Sequence, residues 1–192
     1  MQWMTAAAGL THQEYISPGF LSKGGVLEMA QLWVNLPARH KMMAPRYQAI
    51  ESKDIPAVSL GEGAGEMFLI AGQYGSETGP ALTMSPVNVW HALLGEQPTE
   101  ISIDEGFNTI IFVRKGSVQI CGHSTVFNNE ATVILSQSGT RISLAPQAPG
   151  TSLLILSGLP FNEPFAARGP FVMNTETELR QAMADFQNGL MD

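Results

Sequence analysis

From Gly61 onward the chain is cut into apolar runs too short to be helices: EMFLIAG, VNVWHALL, TEISI, NTIIFVRKGSVQICG, ATVILSQSGTRISLAP and TSLLILSG. Runs of four to eight residues rich in β-branched and aromatic side chains, separated by turn residues, read as strands. Five to seven of them at this spacing predict an all-β antiparallel sandwich or barrel of about a hundred residues. The 19 glycines and 12 prolines supply corners, and the charged fraction of 14% lies below the roughly 25% usual in soluble domains. Two hairpins are expected, one turning at Arg114-Lys115-Gly116 and one at Gln137-Ser138-Gly139-Thr140, because apolar alternation flanks each turn.

The flanks read differently. Leu27 to Leu36 is a strand candidate, and Pro37, Pro45 and Pro56 then punctuate a segment without a clear period, as a connector would be. At the other end Thr175 can cap a helix, Glu178 stands three residues on as its capping-box partner, and Leu179, Ala182, Met183 and Phe186 make one apolar stripe. Gly189 is the expected stop. The reading therefore divides the chain into residues 1–36, too short to bury a core alone, a connector over 37–57, a barrel over 58–158, and a tail over 159–192 with the one C-terminal α-helix.

A net charge of −7 provides no positive field for phosphate backbones, so direct contact with nucleic acid is not expected. The single Cys121 has no partner for an internal disulfide, and a zinc-cysteine motif is excluded. The start, MQWMTAAAGLTHQE, lacks a basic stretch followed by an apolar one, and no apolar run reaches the 18 or so residues that span a bilayer. A cytoplasmic protein with no membrane contact is the expectation.

Among residues that carry chemistry, His12-Gln13-Glu14 stands first. On a strand, residues two apart share a face, so imidazole and carboxylate can converge on one cation such as Fe(II), Mn, Ni or Zn; two ligands remain fewer than the three or four a catalytic metal needs. The competing reading is a solvated strand end. His40, within Arg39-His40-Lys41, reads as solvated surface, His91 as a half-buried strand residue, and His123 as part of a turn. No Gly-x-Ser-x-Gly elbow is present, and Gly61, Gly63 and Gly65 form a turn rather than a phosphate loop, since Glu62 and Glu66 would repel an anion. Trp3, Trp33 and Trp90 read as core or wall residues, Met42 and Met43 as gap fillers, and Gly169 to Asn174 as tail packing.

Three stretches, QWMTAAAGLTHQE (2 to 14), QLWVNLPARHKMMAPRYQ (31 to 48) and GLPFNEPFAARGPFVMNTETELRQAMADFQNG (158 to 189), resemble in order and spacing the pirin family of two-domain cupins. The resemblance implies a bicupin: an N-terminal barrel that holds a mononuclear non-haem iron, and a C-terminal jelly-roll barrel without metal. It makes residues 1–36 a remnant of the metal-binding cupin and the later strands a complete C-terminal cupin. In the family the iron is held by three histidines and one glutamate, two from an upstream His-Pro-His segment and two from a His-x-Glu that here is His12 and Glu14. No His-Pro-His occurs in this chain, so half of that ligand set is missing and a truncated first cupin is expected. Ala7 departs from the glycine usual in the motif. The implied activity is that of an iron-dependent flavonol (quercetin) 2,3-dioxygenase acting on a small aromatic substrate, impaired in the truncated chain. The alternative implied by other pirin-like proteins is a metal- and redox-responsive module that binds a transcription factor or a metabolic enzyme.

Overall fold

The computed structural model describes residues 1–191, which gather into two compact units. The first comprises Met1–Trp3 and Gln48–Phe161. In chain order the strands are β1 (Gln2–Thr5), β2 (Arg46–Ala49), β3 (Ala57–Ser59), β4 (Gly65–Ala71), β5 (Gln73–Tyr74), β6 (Glu77–Thr78), β7 (Val87–Leu94), β8 (Thr99–Ser102), β9 (Asn108–Lys115) and β10 (Ser117–Ile120). They continue as β11 (Val126–Asn128), β12 (Thr132–Ile134), β13 (Arg141–Pro146), β14 (Ser152–Gly158), β15 (Ala166–Arg168) and β16 (Phe171–Met173). The division between the units falls inside β1 and inside β2, which pair with each other.

Two antiparallel sheets make the first unit, one ordered β12-β9-β14-β7-β4-β3 and the other β11-β10-β13-β8. Alternation decides which side chains enter the core. In β9, Thr109, Ile111 and Val113 are fully buried while the residues between them are half-covered; in β13, Ile142 and Leu144 are the buried set. Met67, Leu69, Trp90, Ile101, Leu153 and Ile155 complete one continuous core with these. Each such side chain contributes about 1.5–3 kcal/mol through the apolar surface it removes from water. β14 runs buried through Ser152–Ile155, as befits a strand flanked by β7 on one side and β9 on the other.

Neither expected hairpin forms. β9 pairs with β12 and β14, while β10 pairs with β11 and β13, so Gly116 carries the chain from one sheet to the other. β12 and β13 likewise lie in different sheets. Alternation and a turn signal locate a reversal but do not name the partner strand, and in a two-sheet sandwich a neighbour in sequence is free to join the opposite sheet.

The second unit joins Met4–Tyr47 to the segment from Asn162 onward, so the early residues and the tail, read from sequence as separate segments, share one unit. Its core is small: Ala166, Met173 and Leu179, with Phe171 and Ala182 against them. β15 and β16 form a hairpin, and the helix α2 (Glu176–Gln187) follows. As expected, Thr175 Oγ1 accepts from the Glu178 N–H at 3.2 Å, and the Glu178 carboxylate accepts from the Thr175 N–H at 2.8 Å. The helix ends at Gly189, φ +67°, where the Gly189 N–H donates to the Phe186 carbonyl and that of Leu190 to Asp185, a Schellman closure.

A second helix, α1 (Pro18–Lys23), was not anticipated; Ser17 caps it by accepting from the Phe20 N–H at 3.3 Å, and a proline occupies its first turn. Leu27 to Leu36 is not a strand: it has no regular structure, and among the described residues no strand pairs with it. Strands of this composition need a ladder partner and a covered face, and here Val26 is 93% exposed and Trp33 66%, so Trp33 is not a core or wall residue as expected. Met42 is also exposed and fills no gap.

Candidate functional site

The motif residues from Met4 to Glu14 belong to the second unit. After β1 the chain turns at Ala6–Gly9, the Gly9 N–H donating to the Ala6 carbonyl at 2.9 Å and the Ala8 N–H to Met43 at 3.2 Å. Ala7 takes φ +45°, the left-handed region in which a glycine is unstrained. The turn delivers His12 and Glu14 to a segment without strand pairing, so their shared direction does not come from a β-ladder as expected. They nevertheless converge: His12 Nε2 lies 4.0 Å from Glu14 Oε1, with side chains 42% and 47% exposed. Between them Gln13 turns aside, its Oε1 accepting from the Tyr15 hydroxyl.

That separation bears on metal binding. Adjacent donors bonded at about 2.1 Å to one ion stand about 3.0–3.4 Å apart in octahedral or tetrahedral geometry, so the pair at 4.0 Å would close by about 0.6–1 Å to share a cation. An imidazole nitrogen with a carboxylate oxygen suits a borderline divalent ion. It is the donor types of the two residues, rather than their spacing, that suit a coordination shell. Among the described residues no third His, Cys, Asp or Glu joins them into a metal-binding cluster.

The other histidines sit elsewhere. His123 is exposed in the turn after β10. His40 is half-buried in a single 3-10 turn over Ala38–His40, its Nδ1 buried without a partner. The basic run around it is not wholly solvated: Lys41 is only 4% exposed, and its ammonium donates to Asn35 Oδ1 at 2.7 Å and to the Val172 carbonyl at 3.3 Å. Burial lowers the Lys41 pKa from the usual lysine range, opposed by the nearby charges of Glu163 and Glu178. Sequence gave no sign of this, because Asn35 and Val172 meet Lys41 only in the folded unit.

His91 stands half-buried on β7, as expected, but within a polar group that sequence reasoning missed. Its Nε2 accepts from Arg114 Nη1 at 2.9 Å and lies 2.9 Å from Ser152 Oγ, while its ring stacks on Phe68 at 5.9 Å between centroids. Alternation on β7 and β9 put His91 and Arg114 on one face; only the pairing of both strands with β14 brings them together.

Comparison with known proteins places this geometry in context. Residues 90–192 match the family model of the pirin C-terminal cupin domain. A Pseudomonas aeruginosa relative named "Putative quercetin 2,3-dioxygenase" is 42% identical over 190 residues, covering 98% of this chain and 65% of its own length. Pirin-1 of Arabidopsis thaliana is 31% identical over 194 residues, covering 98% of this chain and 64% of its own. The crystal structure of an Acinetobacter baumannii quercetin 2,3-dioxygenase superposes with a TM-score of 0.93 at 43% identity, over 98% of this chain and 65% of that one. The chain thus spans about two thirds of the length of these relatives.

Proposed function

Because this chain belongs to the pirin family of cupin proteins, we propose that it serves an iron-dependent oxidoreductase of the flavonol (quercetin) 2,3-dioxygenase type, with His12 and Glu14 as metal ligands. The observation that carries the reading is the convergence of His12 Nε2 and Glu14 Oε1 to 4.0 Å on the motif that the resemblance assigns to the metal. When bound, such an ion supplies the Lewis acidity and redox capacity needed to oxidise a flavonol with dioxygen. His12 through its imidazole and Glu14 through its carboxylate would hold the ion.

Two protein donors hold an ion weakly, because it keeps most of its water and little energy is gained to order the loop. The 192-residue chain by itself is therefore impaired, turning over slowly even with iron in excess. The test is loss of quercetin absorbance in the iron-loaded chain and in its His12→Ala and Glu14→Gln variants. Consumption that falls at least tenfold in either variant supports the reading. Stoichiometric iron with quercetin untouched overturns it.

A second reading is a metal-responsive interaction module that regulates a transcription factor or a metabolic enzyme. The apolar side chains of Leu21, Val26, Met29 and Trp33, exposed along one segment of the second unit, favour it, since such surface is normally covered by a partner. Its test is co-purification of such a protein with the chain, with and without metal. Failure to retain one in both states counts against it.

A further inference from the structure

By alternation Asn88 belongs to the inward face of β7, the face that Trp90, Ala92 and Leu94 carry into the core, yet it is an asparagine and only 6% exposed. Register sets it opposite Ser157 of β14, which in turn stands opposite Thr109 of β9, and all three are buried. A polar row therefore closes one end of an otherwise apolar interior. Burying such groups costs free energy unless each finds a partner. Thr109 and Ser157 serve one another, hydroxyl to hydroxyl at 3.2 Å.

Asn88 is only half served. Its Oδ1 accepts from the Gln73 N–H at 3.3 Å, which fixes the end of the amide that is oxygen. Gly72 makes this fit possible, because a side-chain carbon there would collide with Oδ1. The amide nitrogen has two protons to donate and no partner among the described residues, and it is not one of the atoms sealed from solvent. Its remaining surface opens on a cavity of about 800 Å³ that Asn88 lines at the start of β7, a volume within the roughly 300–1,000 Å³ of small-molecule sites. Thr78, Thr83 and Ser102 line the same cavity with hydroxyls, and Asp104 is the one charged side chain among its described lining.

We propose that this cavity binds a neutral, non-aromatic polyol of the sugar-ring type. Asn88 Nδ2 donates to one ligand oxygen, further ligand hydroxyls bond to Thr83 and Ser102 and donate to the Asp104 carboxylate, and the half-buried Tyr74 receives the apolar C–H side of the ring. Hydroxyls suit this lining because each one both donates and accepts. An apolar ring of equal size would strip water from Asn88 Nδ2 and return nothing. An anion meets Asp104 with no lining cation to offset it. The site lies in a different unit from His12 and Glu14 and takes no metal, so it goes beyond the proposed activity.

The experiment is an NMR titration of the metal-free 192-residue chain with the methyl glycosides of glucose, galactose and mannose, and with cyclohexylmethanol as a ring of like size bearing a single hydroxyl. At millimolar concentration at least one glycoside should shift the Asn88 side-chain NH₂ signals and the amides of Gln73, Thr83 and Asp104, and should bind at least tenfold more tightly than cyclohexylmethanol. The uronate of that sugar should bind about fivefold more weakly, and Asp104→Asn should erase the difference. Asn88→Ala should weaken the glycoside about three- to tenfold, the worth of one net hydrogen bond. Thr83→Val leaves the acceptor for Gln73 in place and should weaken it by a similar factor, which keeps the test decisive if Asn88→Ala does not fold. Unmoved Asn88 signals with all three glycosides, tighter binding of cyclohexylmethanol or of 7-hydroxycoumarin than of any glycoside, a uronate bound as tightly as its glycoside, or unchanged affinity in the folded variants would each overturn the assignment. Because no metal is added, none of these results bears on His12 and Glu14.

Discussion

Replacing Gly116 by alanine is expected to be among the more damaging single changes outside the buried side chains, for a reason set by the crossing between sheets. Gly116 has φ +81°, and a Cβ there would stand 2.4 Å from Thr151 Oγ1 and 2.8 Å from Thr151 Cα. Thr151 is fully buried; its hydroxyl accepts from the Ser117 N–H at 3.2 Å and donates to the Ala148 carbonyl at 2.7 Å. The left-handed backbone costs alanine about 1–2 kcal/mol. Contact with backbone rather than a flexible side-chain end adds about 1–3 kcal/mol as Thr151 moves and its hydrogen bonds stretch. The expected loss is about 2–5 kcal/mol. Gly150→Ala is the control, since Gly150 has φ +68° but nothing within 4 Å of the added carbon, leaving only the strain of about 1–2 kcal/mol. Urea unfolding followed by tryptophan fluorescence reads both; with a slope of about 2 kcal/mol per molar, Gly116→Ala should lower the midpoint by about 1–2.5 M and Gly150→Ala by less than about 1 M. Equal shifts, or an unchanged midpoint for Gly116→Ala, would refute the packing argument.

Three further outcomes follow from local structure. The folded Lys41 pKa lies below its unfolded value, so the unfolded chain binds more protons between the two, and stability is lowest below the folded value and rises with pH through that window; melts from about pH 8 to 10.5 should show a shallower rise for Lys41→Met than for the parent, and parallel slopes would contradict the burial effect. Ala7→Gly should stabilise the chain by about 0.5–1 kcal/mol, read as a higher melting temperature, because relief of a left-handed alanine exceeds the extra entropy of glycine; a lower melting temperature argues against it. Thr175→Ala should cost about 1 kcal/mol by removing the helix cap, whereas Thr177→Ala should stay within about 0.5 kcal/mol, and equal effects in urea unfolding would deny the cap its role.

How far the fold could be read from sequence depended on the range of the interaction. Strand positions in the barrel and the capping box at Thr175 and Glu178 are local, and they stand where the residues placed them. Partners are not local: the turns at Gly116 and Gly139 looked like hairpins because nothing in VRKGSVQ or SQSGTRI says that the two arms join different sheets. Leu27 to Leu36 has strand composition without strand structure, since propensity alone does not supply a ladder. At the site, the strand expected to put His12 and Glu14 on one face is absent, and a segment without strand pairing brings them to 4.0 Å instead. Lys41 inside the second unit, and His91 with Arg114 and Ser152 on the barrel, escaped because residues far apart in the chain build both groups.

The claim that His12 and Glu14 together grip a divalent ion is tested most directly by paramagnetic NMR, with Mn(II) titrated into the 192-residue chain. Broadening centred on residues 12 to 14, weak in affinity and abolished by His12→Ala and by Glu14→Gln separately, is the predicted result. Broadening centred elsewhere, or the same broadening in both variants, would contradict it.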